Sequence, residues 1–447
     1  MRNQFSKTST ALTQSLTQSL APVMAALITA ASLTACGVQP AVSPDGRIVS
    51  RNEVLQLDTS QASVQISTSD LLSLNMGLVY DILPPAVGTT GGNQTYASDL
   101  VIANGYAFTA FNTVGVPQAG AIDSINLNLE IMNPSMVTSK SFTDFDVNAV
   151  RYYPAGQLLA NGQLLTSGQL WLSGALQDIG AQFKTFPVDA LTSVIGTQTL
   201  TNTLRGYAGT GFTQSSGVLY AASGDNAGID KVDPGTGAIT QFINQTDARD
   251  LIPIGTGGDF VVLSGQPGLV TRYNASGSSV WTAAIGGNTI AQSKSTLVAG
   301  STYIAASMGD GGFALICAAD GKIMATAPAL VVSGIPAAKS VTNSVAFASG
   351  VVITGNGEAG VAAYLIQNST VGPASSCAKV SLGLMGRSAF STGSANKVTA
   401  GNFNYSLNIL NGVKTYSGRV YVASGINGFR TVSVSYQFAS GSTIITP

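Results

Sequence analysis

The chain has 447 residues, 20 Lys and Arg against 21 Asp and Glu, only 9% charged residues and no histidine. Without histidine, Ser-His-Asp and Cys-His catalysis and His-ligated zinc, copper or haem are excluded. Sparse, balanced charge with no basic stripe also argues against nucleic acid, whose binding needs clustered phosphate contacts.

The first predicted element is an export signal. Arg2 and Lys7 are the only charges before Asp45, and a mostly apolar run, "LAPVMAALITAASLTAC", spans Leu20 to Cys36. Its length of about 16 residues falls short of the roughly 20 that a membrane span needs. A positive start and a small-residue end are the pattern of a cleaved signal. "LTAC" (Leu33 to Cys36) resembles the lipobox of bacterial lipoproteins. That resemblance implies cleavage before Cys36, a diacylglycerol on its thiol and acylation of the new amine. Several acyl chains on one residue anchor stably. The alternative is an ordinary signal peptide with a chance cysteine. Gly37 follows Cys36 where Asp would favour retention at the inner membrane, so the resemblance implies the outer membrane. Loss of Arg2 and Lys7 leaves 18 basic against 21 acidic residues, a net charge of −3. Cys317 and Cys377 remain, and an exported protein permits one bridge between them or two free buried thiols.

Residues 36–69 are predicted as the lipidated cysteine and a flexible polar tether with one strand at most. From about residue 70 to 445, short apolar or alternating runs recur between Gly, Asn, Asp and Ser turns, with no sustained helical period. Such runs are strands, and many of them without helices give an all-β class. Five segments align as strand, Gly-rich turn, strand: "VLYAASGDNAGIDKVD", "FVVLSGQPGLVTRYN", "TYIAASMGDGGFALICAAD", "VVITGNGEAGVAAYLIQ" and "RVYVASGINGFRTVSVS". Weaker copies lie at 106–127 and 163–176. The last turn glycines, Gly228, Gly268, Gly312 and Gly360, are spaced by 40, 44 and 48 residues; the next, Gly428, follows by 68, implying an insertion. Backwards, Gly120, Gly174 and Gly228 are 54 apart. Periods of roughly 40–50 residues with about four strands per unit belong to β-propeller blades. Seven units are predicted, with six or eight as alternatives. "LLSLNMGLVYDIL" (71–83) is placed to supply a strand to the last blade and close the ring, because an open ring would expose two strand edges.

The repeat resembles the bacterial LVIVD family, most closely in "YVASGINGFRTVSVS" (421–435). "KVDPGTGAI" (231–239) and "CAADGKI" (317–323) resemble the third-to-fourth-strand turn of YVTN-type and quinoprotein-like propellers. These resemblances cover about residues 95–440 and imply scaffolds of diverse roles. Quinoproteins carry characteristic blade tryptophans; this chain has only Trp171 and Trp281, which argues against a quinone cofactor.

Antiparallel blades send every second-to-third turn to one face, so Asp225, Gln266, Asp310, Glu358 and Asn427 are predicted around one rim, where a cation, a basic partner or a sugar could bind. The bland explanation is turn chemistry, since Asp, Asn and Gly suit positive φ and backbone-capping side chains. Ca2+ is the one cation considered for the rim; no other cofactor and no metal ligand set is predicted. An EF-hand loop starting at Asp225 fails, because Ala227 and Ile229 occupy liganding positions. Asp233 to Gly237 reads as a tight turn. Asp144 and Asp146 read as a solvated strand end. "GTGGD" (255–259) reads as a turn, without the Lys and helix of a phosphate loop. "SANK" (Ser394 to Lys397) matches S-x-x-K without its partner motifs.

The expectation is therefore a signal peptide at 1–35, a lipidated Cys36 and tether at 36–69, and a propeller at 70–445. It is expected to hold a protein or glycan partner at the envelope, without catalysis. The alternative is an envelope hydrolase or lyase using carboxylates and a cation in the central channel. Three or more carboxylates converging there would favour the enzyme, and a neutral plugged channel the binding module.

Overall fold

The computed structural model describes residues 46–63, 71–88, 93–127, 134–159, 162–224, 227–289, 294–401, 404–408, 413–439, 445 and 447. The expected signal peptide, Cys36 and Asp225 lie outside them. Seven antiparallel sheets form seven blades. The strands of a blade, from the channel outward, are called inner, second, third and outer.

Blade 1 comprises Tyr96–Ala103, Tyr106–Asn112, Gly120–Asn126 and Ser135–Phe142; blade 2, Phe145–Tyr153, Gly168–Leu176, Gly180–Val188 and Leu200–Thr203. Blade 3 comprises Gly209–Ser215, Val218–Ser223, Gly228–Val232 and Ile239–Ile243; blade 4, Ala248–Pro253, Phe260–Ser264, Leu269–Tyr273 and Ser279–Ala284. Blade 5 comprises Leu297–Ala299, Tyr303–Ser307, Phe313–Cys317 and Ile323–Ala327; blade 6, Ser344–Ala348, Val351–Gly355, Val361–Asn368 and Val380–Ser388. Blade 7 joins Lys397–Ala400, Val413–Ala423 and Phe429–Ala439 to Leu71–Ile82 from the other end of the chain. The predicted closing strand is thus the outer strand of blade 7. The extra length of that unit is a hairpin, Asn404–Asn408 paired with the first part of Val413–Ala423, between its inner and second strands.

The second strands are buried on both faces, which explains why small residues recur in them. The second strands carry pairs such as Ala221–Ala222 and Ala305–Ala306, fully buried, which let neighbouring blades approach. Rings fill the gaps that remain. Trp171 stacks on Phe183 at 5.6 Å and meets Phe212 of blade 3 edge-on, while Tyr220 of blade 3 stacks on Phe260 of blade 4 at 4.4 Å. Cys317, ending the third strand of blade 5, is bonded to Cys377, which precedes the outer strand of blade 6. The bridge that the sequence left open therefore ties two blades.

The repeat glycines have a shared cause. A Cβ on Gly228, Gly312, Gly360 or Gly428 would stand 2.0–2.3 Å from the carbonyl oxygen of Ile243, Ala327, Ser388 or Ile82. Each of those carbonyls belongs to the last residue of an outer strand. Only a hydrogen fits where the third strand begins against that backbone. Blade 2 departs from the predicted alignment. Gly174 lies inside its second strand, not in a turn, and Gly180 opens the third strand.

Packing also begins earlier than residue 70. Ile48–Val54, expected within the tether, is a strand on the outer edge of blade 7, with Ile48 and Val49 buried. The chain then crosses to blade 6, where Asp58 pairs with Arg387 and Ser63 N donates to Leu384 O at 3.2 Å. At its other end, Arg47 forms an ion pair with Asp123 of blade 1. Residues 47–63 thus strap blades 1, 7 and 6 from outside, held by the buried Ile48, Val49 and Leu55.

Candidate functional site

The inner strands set the site. In blades 1 to 4 each carries a one-residue bulge where the channel opens, because the register skips Ser98, Asn148, Thr210 and Arg249. A bulge re-aims a side chain and increases local twist. Ser98 Oγ donates to Val147 O of blade 2 at 2.6 Å, and Thr210 Oγ1 makes the equivalent bond to Ala248 O of blade 4 at 2.7 Å. All four bulged residues line a cavity of about 590 Å³ at the channel mouth. Tyr96, Ser295, Asn343 and Asn396 complete its wall, so every blade contributes.

Beneath the mouth lies a charged network from strands far apart in sequence. Arg151 donates to Asp99 Oδ2 at 3.1 Å and to Asp250 Oδ1 at 2.8 Å, linking blades 2, 1 and 4. Asp250 Oδ2 also accepts from Leu297 N of blade 5 at 2.9 Å. Lys294 reaches across to Ser98 O at 2.6 Å and Asn148 O at 3.0 Å, with Asp99 at 3.5 Å. Burial alone would raise the Asp99 carboxyl; Lys294, Lys397 and Arg151 together outweigh it and bring it down to about 2. Burial lowers the Lys294 ammonium to about 8; Asp99 opposes this, while Lys397 and Arg151 add to it. At the rim of the mouth Asp247 pairs with Arg249 at 2.9 Å.

The channel therefore matches neither expectation as stated. It is charged, and among the described residues two carboxylates rather than three converge in it, Asp99 and Asp250 on Arg151, while Asp247 pairs with Arg249 at the rim. With Arg151, Arg249, Lys294 and Lys397 the group carries one excess positive charge (four cations, three anions). Among the described residues, no three His, Cys, Asp or Glu side chains come together to hold a metal.

The four described rim residues, Gln266, Asp310, Glu358 and Asn427, sit in the second-to-third turns, and each leans on a neighbouring connection between blades. Gln266 Nε2 donates to Asn288 O at 2.7 Å, and Asp310 accepts from Thr289 N at 2.8 Å. Glu358 pairs with Lys339 at 2.9 Å, and Thr392 Oγ1 donates to Asn427 at 3.4 Å. Turn and connection are thereby locked to one another.

Two aspartates need correction. Asp144 lies outside the strand, and Asp146 is buried, not solvated. The Asp146 carboxylate accepts from Thr113 N at 2.9 Å, Thr113 Oγ1 at 3.0 Å and Ala119 N at 3.1 Å, holding the blade 1 turn. Burial raises its pKa against those bonds. Asp230 and Asp233 behave as strand and turn residues. Asp230 is buried against Arg205 Nε at 2.9 Å, and Asp233 accepts from Gly235 N and Thr236 N across its turn. "GTGGD" is a turn in which Asp259 pairs with Arg272 at 2.7 Å. Lys397 of "SANK" opens the inner strand of blade 7 and adds charge to the channel, while Ser394 lines the mouth.

Sequence reasoning missed the channel network. The one signal was the repeated "ASDL" (97–100) and "ARDL" (248–251), which place Asp99 and Asp250 just after the two bulges.

No family model matches the chain, and no curated protein matches it. Among solved structures it is similar to one titled "Structure of U3-55K", with TM-score 0.49 and 14% identity over 78% of this chain and 96% of that one. It is also similar to Sqt1 of Saccharomyces cerevisiae, with TM-score 0.45 and 11% identity over 80% of this chain and 100% of the other. A third likeness is the computationally designed Ika8 protein, with TM-score 0.41 and 12% identity over 76% and 97%. From its own strand order, the chain is a seven-bladed β-propeller of four-stranded antiparallel blades.

Proposed function

We propose that this propeller is a lipid-anchored binding module of the bacterial cell envelope. Acylation at Cys36 tethers it, at the outer membrane by the residue that follows, and the channel-mouth face holds a protein or glycan partner. Its repeat resembles the LVIVD and YVTN propellers, which serve as scaffolds. One observation carries the binding reading: an open cavity of about 590 Å³ to which all seven blades contribute. Amides and hydroxyls such as Asn112, Asn148, Ser98 and Thr210 alternate in its wall with apolar surface from Ala97, Val114 and Ala208, the mixture that recognises sugars and backbone. The carboxylates below it are engaged by Arg151 and Lys294, so the charge there organises the wall. That favours binding over hydrolysis or elimination, which needs a carboxylate free to take or give a proton.

The test is a photo-reactive amino acid at Tyr96, in the mouth, and another at Val371, at the opposite end of blade 6, in intact cells. A partner adduct from position 96 and none from 371 supports the reading. Adducts only with a second copy of this chain overturn it. For the address, Cys36→Ser abolishes fatty acylation; a variant still labelled by palmitate overturns the lipid anchor.

A further inference from the structure

The channel-mouth face is not uniform. Its connections in blades 4 to 6 present Gln266, Asp310 and Glu358. Those of blades 7, 1 and 2, with the link into blade 3, present Ile426, Val116, Ile179 and Tyr207 instead, while Val114 lines the cavity. These four side chains are between 41% and 81% exposed. In the connections of blades 4 to 6, one exposed apolar side chain of comparable size is described, Val331, and it stands beside the strap, where Gln61 contacts its carbonyl. Val116, Ile179 and Tyr207 line one hollow together with Gln177 and Asp178, and an apolar sector on one side of a polar face marks an interaction surface.

The course of the chain says what covers it. Arg47 Nε donates to Leu83 O at 2.8 Å, and Ile48 pairs with Ile82, the last residue of the blade 7 outer strand. Outer strands end at the mouth face, so the chain before residue 47 leaves from that face, between blades 7 and 1. This lies within the apolar sector, between Ile426 of blade 7 and Val116 of blade 1. From Cys36 to Gly46 is ten residues, which reach at most about 35 Å when fully extended. An acyl chain on Cys36 would therefore keep the exit point, and the apolar side chains around it, within about 35 Å of the bilayer. The residue types suit an interface, where aliphatic side chains enter the headgroup boundary and a tyrosine keeps its hydroxyl wet.

We propose that the sector formed by Val116, Ile179, Tyr207 and Ile426 rests on the lipid bilayer as a second, non-covalent contact beside the lipid anchor. Because only one side of the face is apolar, the disc tilts, and the mouth and blades 4 to 6 stay open to water. The inference rests on the lipid-anchor reading of Cys36.

The test uses the full acylated protein in vesicles of phosphatidylethanolamine and phosphatidylglycerol with brominated acyl chains, which quench tryptophan on contact. One variant carries Val116→Trp in the sector. The other carries Leu191→Trp, an 88% exposed apolar position in a loop at the opposite face of blade 2. Both sites are open enough to leave folding intact, and the emission of Trp171 and Trp281 is subtracted using the parent protein. Burial to interfacial depth predicts at least about a twofold loss of emission at position 116 and none at 191. Floating vesicles with position 116 unquenched overturn this inference alone and leave the anchor standing, as they would if another protein covers the sector in the cell. Quenching at 191 instead overturns it as well. Protein that fails to float with the vesicles overturns the anchor and this inference together.

Discussion

Arg151 donates to carboxylates from two other blades, so its removal strands both. In Arg151→Met, Asp250 keeps only backbone donors, and Asp99 keeps Val150 N and the longer contact to Lys294. Breaking a buried pair by deleting one partner costs about 3–5 kcal/mol, and urea unfolding should show a loss of that order. Arg151→Lys should recover less than half, since a single ammonium cannot fork to two carboxylates. The same network sets the pH response. Asp99 is depressed to about 2, so its contribution is present above the ordinary carboxylate range and is lost as pH falls through 2. Lys294 is depressed to about 8 from 10.5, so between those values the unfolded chain binds more protons and stability rises with pH. Melting temperatures across that alkaline window should climb in the parent and flatten in Lys294→Met. None of this pairing could be read from the sequence. Asp99 and Asp250 lie 52 and 99 residues from Arg151, and only the closed ring brings them together.

Blades were readable because one steric requirement repeats. Wherever a third strand starts against the end of an outer strand, Cβ is excluded, and glycine appears at a regular spacing. That logic predicts unequal costs for one substitution. Gly115 has φ +83° and open space around it, so Gly115→Ala costs only its backbone strain, about 1 kcal/mol. Gly360 has a similar φ of +81°, but a Cβ there meets Ser388 O at 2.1 Å. Gly360→Ala should lose more than about 3 kcal/mol, since strain and overlap add. Equal losses in chemical denaturation would mean that the close approach is not what selects glycine. The same logic explains where the reading failed. The repeat spacing of 54 residues places Gly174 in a turn. In fact it faces the Asn148 bulge, and a Cβ would stand 1.7 Å from Asp146 O. Bulges leave no such spacing signal, which is why the re-aimed side chains at the mouth were invisible before the fold was known.

Closure joins the two ends of the chain. Leu71–Ile82 pairs with Phe429–Ala439 along its length, and Ile82 O meets Gly428 as the other outer-strand carbonyls meet their glycines. The strand from the front of the chain therefore occupies the same position as one made in sequence. Outside it, the strap at 47–63 ties blade 7 to blades 1 and 6. These two devices should separate on truncation. A chain beginning at residue 64 loses Ile48, Val49 and Leu55 from the buried set and the Asp58–Arg387 pair, but keeps its ring. It should keep the parent's oligomeric state, with a lower melting temperature. A chain beginning at residue 84 also loses the outer strand of blade 7. Its third strand, 429–439, becomes a long apolar edge with unpaired backbone, the surface on which strands from other molecules add. Light scattering should then show self-association, and a synthetic peptide of residues 71–83 added during refolding should suppress it by filling the edge. If the shorter chain is monomeric and the peptide has no effect, the ring does not depend on this strand, and blade 7 must hold as three strands against its neighbours' cores alone.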